Sequence, residues 1–362
     1  MFDNPNPEAV RSYQKLVRSQ VLGALERDGF RLEHDRYNQF RREMMIDGAV
    51  LSQQILESVS TPGGLDQTRI VLNRLGLGVL TLPRIVGFGL RQAQAVAAGL
   101  NLAERTSQRA VHLGALFNLG IVLFDLICDR HRALIPRMLS ILSPQGVQQV
   151  MHTGTLENAD SEDVALNILH SIVAQFFQGL KQSDHSQAVR EEFQEVIRQM
   201  YNGEVKLMLG SRTEHPGREI WIRMRHKSAL PMWTVALTVL HFSNTHIDRA
   251  KLRALKRLVY PAGALLWILD DLADAGEDWI SKSWSRPYYR LFSRPTVQME
   301  NIRSVEEALP ALIASGVVES EIRRVVQLLQ RIQNSLIPST ANQASRDCFP
   351  ATVLSWVYAL PE

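Results

Sequence analysis

Apolar residues recur along the chain at intervals of three and four positions. One such series consists of Leu113, Leu116, Leu119 and Leu123, and a second of Val235, Val239 and Phe242. Because an α-helix completes a turn in about 3.6 residues, this spacing gathers the apolar side chains on one face. Alternating apolar and polar positions bounded by Asn-Gly or Asp-Gly turns, which are typical of β-hairpins, are nearly absent. The pattern therefore predicts an all-α fold.

The polar breaks between the helical segments are short, so none of them indicates a domain linker. No internal repeat at the spacing of a solenoid is present. We expect one large all-α domain over residues 56–362, preceded by a polar helical extension over residues 1–55.

The longest stretch without acidic or basic residues, 228–246, is long enough to span a bilayer but contains Pro231 and two histidines. It is interpreted as a buried central helix, and no transmembrane segment is expected.

Composition narrows the functional classes. The 362 residues include 40 Lys and Arg against 37 Asp and Glu, and this near balance gives no support to a nucleic-acid partner. Two cysteines, Cys128 and Cys348, are too few for a disulfide framework or a four-thiolate zinc site. The first residues lack the basic and apolar regions of a signal peptide, so a cytoplasmic location is expected. Phosphate-loop, nucleophile-elbow and zinc-protease motifs are absent from the sequence, which leaves two acidic clusters as candidate chemistry.

The first acidic cluster contains Asp125 and Asp129, which follow the apolar run 115–124. On a helix, a spacing of four residues puts both carboxylates on one face, where like charges cost about 0.2–0.5 kcal/mol. A divalent cation between the two carboxylates would remove that repulsion. The alternative is an acidic patch where a core helix reaches the surface. The cluster alone leaves both interpretations open.

The second acidic cluster follows the apolar run 262–268. Its members are Asp270, Asp271, Asp274 and Asp278. Asp270, Asp274 and Asp278 form one stripe if the helix continues. Asp271 lies three positions before Asp274, which places the two side chains close together on a helix. An EF-hand is excluded because Ala273 and Ala275 occupy ligand positions of that loop. A solvated acidic face is the alternative, but the adjoining apolar run favours a metal site.

The two clusters together resemble the aspartate-rich helices of the class I isoprenoid synthase superfamily. The first cluster is similar to the D-x-x-x-D of squalene and phytoene synthases. It is most similar to the D-x-x-C-D-R of large bacterial terpene synthases of the tetraprenyl-β-curcumene synthase type. The second resembles the D-D-x-x-D of prenyl-diphosphate synthases. Lys227-Ser228 lies where prenyl synthases have a Lys-Thr pair that binds diphosphate, and Pro231 is expected to kink its helix.

The resemblance implies a single helical bundle with a central apolar pocket, in which several Mg²⁺ ions bind the diphosphate of the substrate. The implied metal ligands are Asp125, Asp129, Asp270, Asp271, Asp274 and Asp278, and of these Asp125, Asp129, Asp270 and Asp274 are expected to be essential for catalysis. The implied diphosphate-binding cations are Arg130, Lys227, Arg225 and Lys282. The apolar pocket is expected to be lined by Leu116, Phe117, Ile121, Phe124, Trp233, Leu266 and Trp267. Gly114 and Gly120 are expected to leave room for a long prenyl chain.

The resulting hypothesis is a Mg²⁺-dependent terpene synthase that ionises a linear prenyl diphosphate and cyclises the carbocation or eliminates a proton from it. The alternative is a prenyltransferase that couples two isoprenoid diphosphates. Against the alternative, residues 63–69 keep the glycines of the G-G-K-x-x-R segment of prenyl synthases but not its lysine. Against the specific terpene synthase type, Val122 occupies a position where that type has a further Asp. A helical protein without chemistry is the third alternative, and peripheral membrane contact and a homodimer are further expectations.

Overall fold

The computed structural model describes residues 7–30, 33–59, 63–99, 104–141, 143–153, 163–181, 187–209, 217–242, 247–336 and 343–362. The helices are α1 Pro7–Arg27, α2 His34–Ser58, α3 Gly64–Arg74, α4 Thr81–Gly99, α5 Glu104–Arg130, α6 Ile135–Ile141, α7 Pro144–Thr153, α8 Val164–Lys181, α9 Gln187–Leu209, α10 Arg218–His241, α11 Arg249–Ala273, α12 Ala275–Ile280, α13 Arg286–Phe292, α14 Val305–Ala314, α15 Val317–Leu336 and α16 Gln343–Ala359. No strand occurs within these residues, so the all-α prediction is confirmed.

The antiparallel pair α10 and α11 joins two hydrophobic cores. The first core surrounds α5 and is built mainly from α2, α4, α8, α9 and α10. The second is built from α1 and α11–α16. Asp248 caps α11, since its carboxylate accepts the backbone N–H groups of Ala250 and Lys251 at 2.9 and 2.8 Å. The two helices approach closely at Gly263, where a Cβ atom would lie 2.2 Å from the carbonyl oxygen of Ala229.

Helix α10 confirms the buried central helix predicted for the uncharged stretch. Residues 232–242 are all buried, and residues 243–246 lie outside the described part. A second stretch, Gln108–Cys128 of α5, is by length and composition apolar enough to cross a membrane. Within the fold 61% of its most apolar window is buried, and α5 packs against α4, α8 and α10. The stretch therefore has the surroundings of a core helix.

The described part of the N-terminal segment belongs to the second core. Tyr13, Val17 and Val21 of α1 are buried there with side chains of α11 and α15. The Gln14 side chain donates a hydrogen bond to the carbonyl oxygen of Ala273 at 3.1 Å. Helix α2 runs through the position at which the sequence analysis divides the chain. The division itself stays a prediction.

Candidate active site

An apolar cleft lies between α5, α8, α9 and α10. Its volume of about 100 Å³ is well above the ~10–15 Å³ that one water needs. The residues that line it are Leu116, Phe117, Gly120, Ile121, Phe124, Asp125, Leu139, Leu169, Ile172, Val173, Phe176, Phe177, Ile197, Met200, Tyr201, Glu204 and Lys227. The four lining residues predicted on α5, from Leu116 to Phe124, are confirmed. Gly120 also lines the cleft, so at this position α5 adds no side chain to the cavity.

Aromatic side chains form much of the cleft wall. The ring centroid of Phe176 lies 5.3 Å from that of Phe117 and 5.1 Å from that of Phe177. Phe193 of α9 stacks on Phe176 from behind at 6.1 Å. Such contacts hold the rings in fixed positions. The cleft is therefore an apolar cavity with closely packed aromatic walls, and such a lining suits a hydrocarbon chain better than a polar group.

Three residues expected around the pocket have other roles. Gly114 allows α5 to approach α4, since a Cβ atom there would lie 2.7 Å from that of Ala93. Trp233 is fully buried, and its Nε1–H donates to Glu192 at 3.0 Å. Trp267 packs on Trp221 at a centroid distance of 5.2 Å. The prediction that Trp233 and Trp267 line the cavity is wrong, and so is the prediction that Gly114 leaves room in it, because the tertiary packing turns each of them toward another helix.

A lysine between two carboxylates marks the polar end of the cleft. The Nζ atom of Lys227 on α10 lies 3.3 Å from Oδ1 of Asp125 on α5 and 3.2 Å from Oε1 of Glu204 on α9. Burial alone would lower the pKa of Lys227, but the two carboxylates raise it well above its ordinary value. The side chain of Glu204 is 10% exposed and that of Asp125 is 52% exposed. The cleft thus presents a fixed positive charge beside an accessible carboxylate.

Sequence reasoning missed Glu204. It continues the apolar face of α9, following Val196, Ile197 and Met200 at helical spacing. A charged residue on such a face has to find a partner when the face is buried. That conflict between charge and position was the available signal. Its partner, Lys227, became visible only in the folded structure.

The second acidic cluster lies at the end of α11. The helix is interrupted at Asp274, where α11 ends and α12 begins. The N–H groups of Asp274 and Asp278 still bond to the carbonyl oxygens four residues earlier, each at 2.9 Å. The side chains of Asp270 and Asp274 are exposed. Asp271 turns inward, where its carboxylate accepts the backbone N–H of Arg286 at 2.6 Å. Burial, together with the nearby charge of Asp278, raises the pKa of Asp271 well above its ordinary value.

Both acidic clusters lie toward the beginning of α10. Asp125 is beside Lys227, whereas Gly114 is near Val235, so α5 runs antiparallel to α10. Helix α11 also runs antiparallel to α10, since Gly263 is near Ala229 and Trp267 contacts Trp221. Asp270 lies about 10 Å beyond Gly263 along α11, and it is therefore also toward the beginning of α10. The carboxyl ends of α5 and α11 therefore point to the same end of the bundle.

The exposed carboxylates Asp125, Asp270 and Asp274 are the hard oxygen donors that Mg²⁺ prefers. Among the described side chains, no three metal-ligating groups converge on one point. Each ion would therefore be held by few protein ligands and by water and substrate oxygens, which suits Mg²⁺. The donor set thus fits this ion.

Helix α1 covers the other side of the second acidic cluster. Burial and the charges of Asp278 and Asp271 raise the pKa of Tyr13 above its ordinary value. Val10 packs on Gly276, where a Cβ atom would lie 2.8 Å from Val10 Cγ2. The N-terminal helix therefore shields the inward-facing carboxylates of the cluster from solvent.

The remaining predicted residues lie in different places. Asp129 and Arg130 belong to the last turn of α5, but their side chains lie outside the described part. Arg225 stands two positions before Lys227, and about 100° of rotation per residue puts it on the opposite face of α10. It lines a separate groove. Lys282 is exposed in the turn after α12, with a left-handed φ of 56°.

Comparison with solved structures places this arrangement among known folds. A geranylgeranyl pyrophosphate synthetase from the archaeon Geoglobus acetivorans superimposes with a TM-score of 0.57 at 15% identity, over 87% of this chain and 98% of that one. A polyprenyl synthase from Roseobacter denitrificans gives 0.56 at 14% identity, over 90% and 100%. A polyprenyl synthase from Caulobacter crescentus, complexed with calcium and isoprenyl diphosphate, gives 0.56 at 16% identity, over 89% and 97%.

No protein-family profile matches the sequence, and no curated protein matches it significantly. The structural similarity extends over nearly the whole of each compared chain, while the identity stays near 15%. The protein therefore has the helical fold of the isoprenyl diphosphate synthases.

Proposed function

We propose that this protein is a Mg²⁺-dependent class I isoprenoid synthase, and that it acts as a prenyltransferase on linear prenyl diphosphates. The observation that carries the proposal is the aromatic-walled cleft whose polar end combines Asp125, Glu204 and Lys227. A substrate with a hydrocarbon chain and a charged end matches both parts of this cavity. The fold, shared with isoprenyl diphosphate synthases, supports the same assignment.

The proposed roles follow from charge and exposure. Lys227 binds a diphosphate oxygen, because its amine stays protonated between two carboxylates. Asp125, Asp270 and Asp274 would hold Mg²⁺, which when bound supplies Lewis-acid stabilisation of the departing diphosphate. Glu204 orients Lys227 from the buried side. The apolar wall keeps water away from the allylic cation until it meets the second substrate.

Three observations bear on the choice between coupling and cyclisation. Fold similarity to geranylgeranyl and polyprenyl synthases favours coupling of an allylic diphosphate to isopentenyl diphosphate. The D-x-x-C-D-R segment at residues 125–130 and the missing lysine in residues 63–69 favour a terpene synthase. We place coupling first, because the fold likeness extends over 87–90% of the chain and the segment covers only about one turn and a half of α5.

The experiment is incubation of the purified protein with Mg²⁺ and allylic diphosphates of increasing length, with and without isopentenyl diphosphate. Coupling predicts a longer prenyl diphosphate that forms only when both substrates are present. Asp125→Asn and Lys227→Met should reduce its formation at least about 100-fold, whereas Asp35→Asn, an exposed change on α2, should not. A hydrocarbon from one allylic substrate alone would instead identify a terpene synthase. Absence of any product or pyrophosphate release at every length would reject both.

A further inference from the structure

A basic groove lies on the face of α10 opposite the cleft. Its volume is about 400 Å³, and it is formed by α9, α10, α11 and α15. The residues that line it are Gln199, Arg225, His226, Leu230, Arg253, Lys256, Arg257, Tyr260, Pro261 and Arg331. Among the residues that the structure describes, no carboxylate lines this groove. Five side chains with permanent positive charge therefore surround one cavity.

Nearby carboxylates neutralise only part of this charge. Glu192, outside the groove, pairs with Lys256 at 2.6 Å. Glu195, whose charge acts on His226 at the groove, forms an ion pair with Arg198 at 2.6 Å. In the described part of the chain, Arg225, Arg253 and Arg257 form no ion pair within 4.0 Å. The groove thus keeps an excess of positive charge, which is unfavourable unless solvent ions or a ligand balance it.

Two neutral groups add hydrogen-bonding capacity to the groove. Burial and the charges of Arg225 and Lys256 lower the pKa of His226, so its imidazole is neutral near pH 7. The hydroxyl of Tyr260 is inaccessible and has no hydrogen-bond partner among the described atoms. A neutral imidazole and a phenol both donate to anions. The lining therefore combines charge with directional donors.

We propose that the groove is a binding site for a phosphate-bearing anion, separate from the cleft. Guanidinium groups bind phosphate oxygens in bidentate geometry, and three of them here, those of Arg225, Arg253 and Arg257, form no ion pair with a carboxylate in the described part of the chain. Diphosphates and the headgroups of anionic phospholipids share this chemistry. Because Arg225 and Lys227 stand on opposite faces of α10, one ligand cannot contact both. The inference does not depend on the proposed prenyltransferase activity.

The test is isothermal titration of the full chain with inorganic pyrophosphate in EDTA, which removes the metal that binding by the acidic clusters requires. Binding should weaken as ionic strength rises, since the groove is open to solvent. Arg225→Gln and Arg257→Gln should each weaken binding about three- to tenfold. Lys227→Met and the exposed control Arg41→Gln should leave it unchanged. All four variants replace side chains outside the two cores, and thermal unfolding checks that each is folded.

Sedimentation with lipid vesicles separates the two ligand sources. Phosphatidylcholine vesicles with and without phosphatidic acid are the probes. Sedimentation with phosphatidic acid that is lost in Arg225→Gln and Arg257→Gln would assign the groove to a headgroup. Pyrophosphate binding without sedimentation would assign it to a soluble phosphate ester. Failure of both probes would overturn the proposal, as would equal binding by the wild type and both groove variants, or loss of binding in Lys227→Met alone.

Discussion

Replacement of Gly263 by alanine tests whether the close approach of α10 and α11 holds the second acidic cluster in place. The new Cβ atom would lie 2.2 Å from the carbonyl oxygen of Ala229 and 3.2 Å from Cβ of Met232. The oxygen belongs to helix backbone and cannot rotate away. Real Cβ contacts begin at 3.0–3.4 Å, so the two helices have to separate by about 1 Å at this point.

The expected energy follows from two opposing effects. Overpacking of this kind costs about 1–3 kcal/mol, while alanine in place of glycine stabilises a helix interior by about 1 kcal/mol. Because the clash is with backbone, the upper part of the first range applies. We therefore expect Gly263→Ala to lower the free energy of unfolding by about 1–2 kcal/mol. The separation also shifts the end of α11, which carries Asp270, relative to α10, which carries Lys227. A misplacement of about 1 Å can reduce turnover up to ~10²-fold.

The assay is urea unfolding followed by far-ultraviolet circular dichroism, together with turnover at a temperature where both proteins are folded. Gly23→Ala on α1 is the matched control, since its Cβ atom would meet only the flexible end of Arg27 at 3.6 Å. That control should be stabilising by about 0.5–1 kcal/mol. A midpoint of Gly263→Ala at or above that of the wild type would refute the packing argument.

Three further predictions concern the cleft and the thiols. Glu204→Gln should lower kcat/KM about tenfold, because Lys227 loses its buried anionic partner; an unchanged value in steady-state kinetics would contradict the assigned role. Gly120→Leu should shorten the prenyl product, since the side chain enters the cleft; mass spectrometry of the products measures this, and products of unaltered length would count against the cavity as the chain-binding site. Burial raises the pKa of Cys348 to about 12, and Cys128 is also buried. Because the thiolate is the reactive form, neither cysteine should react with Ellman's reagent in the folded protein, and both should react in denaturant. Reaction of a thiol in the native state would show that the core opens.

The local pattern of apolar and polar residues was sufficient to predict the helices and one wall of the cleft. The spacing of three and four along α5 puts Leu116, Phe117, Ile121 and Phe124 near one another whatever surrounds them. The same periodicity gathers the carboxylates of each acidic cluster at the end of an apolar helix. These features depend only on the geometry of a single helix.

Contacts between helices could not be predicted from the pattern of apolar and polar residues along the chain. The polar end of the cleft is formed by Asp125 of α5, Glu204 of α9 and Lys227 of α10, and no spacing in the sequence relates these three positions. Arg225 is only two positions from Lys227 along α10, yet its side chain lines the basic groove and not the cleft. Asp271 is the same residue type as its neighbour Asp270, yet its side chain is turned inward to the backbone of Arg286.

The amino-acid sequence by itself determined the helical class, the buried course of α10 and the positions of the acidic clusters, because periodicity and composition act within a few turns. Only the tertiary structure decided which helix faces meet, and therefore which charges become partners. Crossing positions depend on where backbones can touch, as at Gly263, and such contacts join residues far apart in the chain. The cleft and the basic groove both arise at that level.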